Sequence, residues 1–156
     1  MDLILRKGRV LDRDADALFD IGVEKGRIVA IEPDLAAEGE EIDLGGRMVT
    51  PGFVETHIHL DKSCIIERCG SEQGGQAMAV KRVAAAKPDF TVEDVRERAR
   101  RTLEKCILNG ATHMRTHVEV DPGVGSRGME GVFSLVEDYK WAIDIEICVF
   151  PQEGLA

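Results

Sequence analysis

Residues 51–63 read PGFVETHIHLDKS, with His57 and His59 one residue apart in a run that alternates apolar and polar side chains. Successive side chains of a β-strand point to opposite faces. As a strand, this run places Phe53, Glu55, His57, His59 and Asp61 on one face and Val54, Thr56, Ile58 and Leu60 on the other. Residues 111–121, ATHMRTHVEVD, repeat the pattern. His113, Arg115, His117, Glu119 and Asp121 oppose Met114, Thr116, Val118 and Val120. Each strand therefore has one ionisable and one apolar face.

A parallel sheet covered by helices on both sides should be apolar on both. A (β/α)8 barrel accounts better for the pattern, because its outer helices cover the apolar face and its inward side chains line a site at the strand ends. The order of elements agrees. After Pro51 the chain alternates strand 53–61, helix 91–108, strand 111–121, helix 129–141 and strand 143–151. Such alternation implies right-handed crossovers and a parallel sheet. Thr91 with Asp94 reads as a capping box, and Asn109-Gly110 as the helix stop. The long connection 64–90 carries a short helix within QAMAVKRVAAAK, and such a βα connection forms the mouth of a site in this architecture.

Residues 1–50 read differently. Short Ile- and Val-rich strands separated by turns, with a tight hairpin at Lys25-Gly26, make a small β-unit. The expected division is a β-unit over 1–50 and barrel strands and helices over 51–156.

The composition narrows the function classes. A chain of 156 residues with 44% hydrophobic content is long enough for a core, and a net charge of -9 disfavours nucleic acid and anionic membranes as partners. No apolar run reaches the roughly 18 residues of a membrane span and the start lacks a signal-peptide pattern, so the expectation is a cytoplasmic protein. The four cysteines, at 64, 69, 106 and 148, form no CxxC pair. Cys106 and Cys148 read as small hydrophobes on apolar faces.

On one strand face His57 and His59 lie about 6.5–7 Å apart. Two imidazoles so placed reach one divalent ion at about 2.0–2.1 Å each. A bare HxH is as easily a pair of hydrogen-bonded structural histidines, but the inward face and the flanking carboxylates favour a metal. Of His113 and His117, one reads as a hydrogen-bonding residue deeper in the barrel, and either is a less expected direct ligand than His57 and His59.

MVTPGFVETHIHLDKS resembles the amidohydrolase superfamily, whose first barrel strand carries HxH after a Pro-Gly-Phe turn. NGATHMRTHVEVD and CVFPQEG are similar to its cytosine deaminase-like branch, and the likeness extends over essentially the whole chain. The resemblance implies an α/β fold, the first part of a TIM-like (β/α)8 barrel preceded by a small β-sandwich unit. It implies hydrolytic deamination of a cytosine-like or related nitrogen heterocycle, a small-molecule substrate, by water activated on one divalent metal ion, Fe2+ or Zn2+. His57 and His59 correspond to the first two metal ligands, and Gln152 to the glutamine that reads the amide edge of the ring.

The family draws its remaining metal ligands and its acid/base glutamate from later strands, so no catalytic residue is assigned within this chain. A full barrel has eight strands and typically about 250 residues. The expectation is therefore an N-terminal portion whose barrel is incomplete, inactive by itself, with the remainder supplied by the full-length chain. A homo-oligomer is compatible with this reading.

Three rivals stand beside it. GVGSRG, 123–128, matches a dinucleotide-binding fingerprint, but the preceding strand is ionisable on one face and Asp121-Pro122 separates strand from turn. A hydantoinase- or dihydroorotase-like amidohydrolase would use two metals bridged by a modified lysine from a later strand. A catalytically inactive fragment is the third.

Overall fold

The computed structural model of the chain describes residues 1–70 and 74–154, in two compact units, Met1–Pro51 and Gly52–Ala156. In the first, β1 (Leu3–Val10), β2 (Phe19–Glu24), β3 (Arg27–Glu32) and β4 (Glu40–Asp43) form a sheet in the order β3-β2-β1-β4, and β5 (Met48–Val49) also pairs with β1. The β2–β3 hairpin turns at Lys25 and Gly26, both with positive φ, the geometry of a two-residue hairpin loop. Ile4, Ile21 and Leu35 are its buried apolar residues, and Asp20 is buried beside them. Burial works to raise the Asp20 pKa, but the N–H groups of Lys7 (2.9 Å) and Leu35 (3.1 Å) and the Arg6 guanidinium (2.7 Å) bring it below the ordinary value.

The second unit contains β6 (Phe53–Ile58), α1 (Ile66–Cys69), α2 (Gln76–Ala86), a 3-10 turn at Lys87–Asp89, α3 (Val92–Leu108), β7 (Ala111–Glu119), α4 (Arg127–Tyr139) and β8 (Asp144–Phe150). Strands β6, β7 and β8 pair in that order, all parallel. Val95, Ala99 and Leu103 of α3, Val132 and Leu135 of α4, and Met114 and Val118 of β7 form one buried cluster. The Val, Leu and Met side chains among them, fully buried, contribute about 1.5–3 kcal/mol each, so packing rather than helix propensity holds these helices to the sheet.

Local signals set the ends of α3. The Thr91 hydroxyl accepts the Asp94 N–H at 3.1 Å, and Gly110, at φ +91°, follows Asn109 past the last turn. Half of the expected capping box is made: the Asp94 carboxylate turns to Arg68 (2.8 Å) and Arg98 (3.0 Å) rather than back toward Thr91. The second helix begins at Arg127 and ends at Tyr139, two residues earlier at each end than the sequence pattern suggests. Before β6, a Cβ on Gly52 would fall 2.2 Å from the Thr112 side chain, so only glycine lets the chain enter the sheet so closely beside β7.

Val54 and Glu55 of β6 lie on the faces opposite to those expected: Val54 is registered with His113 and stands exposed. Glu55 is registered with Met114 and Ile58 with Thr116, three residues against two, so the ladder is irregular between them. The slip puts Glu55 on the face of buried Met114, toward the helices, and not with the histidines. Its carboxylate accepts the His57 N–H at 2.9 Å. Its charge adds to burial, the larger cause, in raising the Cys106 thiol pKa on α3. All four cysteines are free; Cys106 packs against the core, but Cys148 is registered with His117, on the face away from the helices.

Candidate functional site

The irregularity that turns Glu55 away leaves His57 and His59 together. Their ring centroids lie 5.3 Å apart, and His117 of β7 joins them, 4.1 Å from His57 and 5.7 Å from His59. Phe150, the last residue of β8, stands edge-on to His59 at 5.5 Å. Three strands thus converge on one group of imidazoles at their C-terminal ends. His113 stays apart: its ring meets Thr112 Oγ1 (2.9 Å) and Asp144 (3.4 Å) near the start of the strands.

The Nδ1 atoms of His59 and His117 are buried and have no hydrogen-bond partner among the described residues. An unsatisfied buried polar atom costs about 1–3 kcal/mol, so such nitrogens ask for a ligand. The His59 pKa is pushed down to about 4, first by burial and then by the Lys62 charge. A neutral imidazole keeps a lone pair free, the state in which histidine binds a metal. The donor set fits a divalent ion at His57 and His59.

The segment after His59 is held from two sides. The Leu60 N–H donates to Thr116 Oγ1 (3.1 Å), and Asp61 Oδ2 accepts the Glu119 N–H (2.8 Å), extending the link to β7 beyond the strand itself. From α3, buried Arg98 donates to the carbonyls of Asp61 (3.0 Å) and Ser63 (2.8 Å), while its guanidinium lies over the Phe90 ring at 4.6 Å. Burial raises the Asp61 pKa to about 6, partly opposed by the Glu119 N–H.

Beside the histidines lies a buried charge network. Glu119, Asp121 and Glu153 bring carboxylate oxygens within 4.8 Å of one another. Such a group could hold a cation, and here the cation is Lys87. Its ammonium lies 2.5 Å from Glu119, 2.8 Å from Asp121 and 2.6 Å from Glu153, and Lys62 also pairs with Glu119. Burial opposes the Lys87 charge, but the three carboxylates outweigh it and keep the amine protonated. Gln152 lies in the exposed turn after β8 and lines a cavity of about 180 Å³ with Lys62, Gln76, Val80 and Val83.

Sequence reasoning brought His57 and His59 together but left His117 and Lys87 out of the site. Strand parity already put His117 on the inward face, and the register of β6 on β7 is what brings it to His57. No signal in the sequence marks Lys87, since its carboxylate partners lie 32, 34 and 66 residues away.

Residues 40–130 match the model of the amidohydrolase family. The chain belongs to this family. N-isopropylammelide isopropyl amidohydrolase of Pseudomonas sp. (strain ADP) is 31% identical over 161 residues, which cover 98% of this chain and 39% of that relative. The crystal structure of 5-methylcytosine deaminase from Klebsiella pneumoniae liganded with 5-fluorocytosine is similar with a TM-score of 0.82 and 30% identity, over 97% of this chain and 37% of that one. A dihydroorotase of Anoxybacillus flavithermus (strain DSM 21510 / WK1) is 38% identical over 97 residues, 58% of this chain and 20% of the relative. The chain therefore spans about two fifths or less of the length of these relatives. Within the family it holds the first part of a TIM-like barrel, preceded by the small β-sandwich unit.

Proposed function

We propose that this amidohydrolase takes part in metal-dependent hydrolytic deamination of a cytosine-like or related nitrogen-heterocyclic ring, and that this chain supplies the first half of the metal site. The observation that carries the reading is the convergence of His57 and His59 at the strand ends, where the His59 Nδ1 is buried with no hydrogen-bond partner among the described residues. The similarity to a 5-methylcytosine deaminase and to an N-isopropylammelide amidohydrolase supports the substrate class.

His57 and His59 would hold a single Fe2+ or Zn2+ ion. Such an ion, when bound, supplies Lewis acidity that brings water toward its nucleophilic state near neutral pH. The chain's own groups do the rest of what this portion offers. Phe150 and the stacked His117 keep the two imidazoles from turning, and Arg98 with Thr116 fixes the backbone that follows them. Gln152 would read the ring: a neutral carboxamide both donates and accepts, so it pairs with a ring C=O and N–H together, which a carboxylate cannot. The remaining ligands and the proton-transferring group belong to the rest of the barrel in the full-length enzyme.

Gln152→Glu and Gln152→Ala in the barrel-complete enzyme test this. Unpaired ring groups cost about 1–3 kcal/mol each, so kcat/KM for ring deamination should fall roughly tenfold to a hundredfold with metal content unchanged. Near-normal kcat/KM in both variants would remove Gln152 from the substrate site. The dihydroorotase similarity favours a second reading, hydrolysis of a cyclic amide bond by the same activated water. Assaying dihydropyrimidine and hydantoin rings beside aminopyrimidines separates the two by whether ammonia is released.

A further inference from the structure

Lys87 is 1% exposed, at the junction between α2 and the 3-10 turn, and its ammonium gathers carboxylates from three different segments. Glu119 ends β7, Asp121 lies in the turn after it, and Glu153 lies in the turn after β8. Two of the three cannot move to water: the side chains of Glu119 and Asp121 are 2% and 0% exposed. Glu153, at 35%, can. Among the described residues Lys87 is the cation that pairs with it, and Glu153 is the residue next to Gln152. The helix α2 that Lys87 terminates also supplies Gln76, Val80 and Val83 to the cavity that Gln152 lines.

We propose that Lys87, acting through Glu153, is a positioning residue that fixes Gln152 against the α2 wall of the cavity, and so joins the first βα connection to the turn after the third barrel strand. The inference rests on the reading of Gln152 as a ring contact. Without the Lys87–Glu153 link, Glu153 is left beside two other carboxylates and is repelled toward solvent, and the turn that carries Gln152 follows it. Lys87 touches no reacting atom. Its effect is on how well the ring is held, not on the bond-breaking step.

Glu153→Ala is the decisive variant, because Lys87 keeps Glu119 and Asp121 as partners and the fold is spared. In the barrel-complete enzyme it should raise KM about tenfold with kcat changed less than about twofold, the signature of a contact made equally in ground and transition states. Glu153→Gln, which keeps an acceptor for the ammonium, should restore most of the loss. Gln152→Ala should cost much less in the Glu153→Ala background than in the wild type, and amide exchange across 150–154 should speed up in Glu153→Ala. An unchanged KM for Glu153→Ala beside a raised KM for Gln152→Ala would overturn the positioning role while leaving the ring contact standing. Full additivity of the two substitutions would do the same. A silent Gln152→Ala would instead remove the ring contact itself, and the positioning role with it.

Discussion

The imidazoles of His57 and His117 lie face to face, their centroids 4.1 Å apart and their planes inclined by 20°. One comes from the first barrel strand and one from the second, so this contact ties the HxH pair to its neighbouring strand. Two ligands are too few for a closed metal site. The chain should therefore bind Zn2+ weakly by calorimetric titration, and His57→Ala or His59→Ala should remove that binding. Tight one-to-one binding that His117→Ala abolishes would make His117 a ligand as well.

Asp61 should matter through an acceptor rather than through its charge. Its Oδ2 is the partner of the buried Glu119 N–H at 2.8 Å. Asp61→Ala leaves that N–H unsatisfied and should lower stability by about 1–3 kcal/mol in urea unfolding. Asp61→Asn retains an acceptor oxygen and should cost distinctly less. Equal losses for the two would show that the charge, and not the hydrogen bond, is what the fold uses.

The contact between α3 and α4 depends on a missing side chain. A Cβ on Gly131 would fall 2.8 Å from the Cβ of Val95 and 2.9 Å from the Val92 carbonyl oxygen. Neither atom is the tip of a flexible chain, so the helices must separate. Gly131→Ala should destabilise by about 1–3 kcal/mol despite alanine's better helix propensity, and a lower Tm is the readout. A raised Tm would mean that the helices have room to part.

Acid should weaken the anchoring of α1 to α3. Hydrogen bonds from Arg68 lead in bringing the Asp94 pKa down to about 2; burial opposes them and Arg98 adds to them. An unfolded aspartate titrates near about 3.9, so the folded pKa is the lower of the two. Its contribution is complete above about pH 4 and is lost as pH falls toward about 2. Between these values the stability of Asp94→Asn should fall less steeply than that of the wild type. Parallel slopes in urea midpoints measured from pH 4 to pH 2 would count against the ion pair.

The sequence by itself determined the periodic and the local. The alternation of strands and helices after Pro51 follows from side-chain period and capping residues. So does the Lys25-Gly26 hairpin, and so does the pairing of His57 with His59 on one side of a strand, because a two-residue spacing needs no knowledge of anything distant. Tertiary structure decided what depends on two segments meeting. The ladder irregularity that turns Glu55 toward the helices arises from how β6 fits β7. His117 joins the histidines because β7 lies beside β6 in that register. Lys87 is the clearest case, a lysine at the end of an alanine-rich helix with nothing nearby in the chain to explain it. It is buried because three carboxylates from later segments enclose its ammonium, and Coulomb attraction across a folded interior leaves no trace in the local pattern of residues.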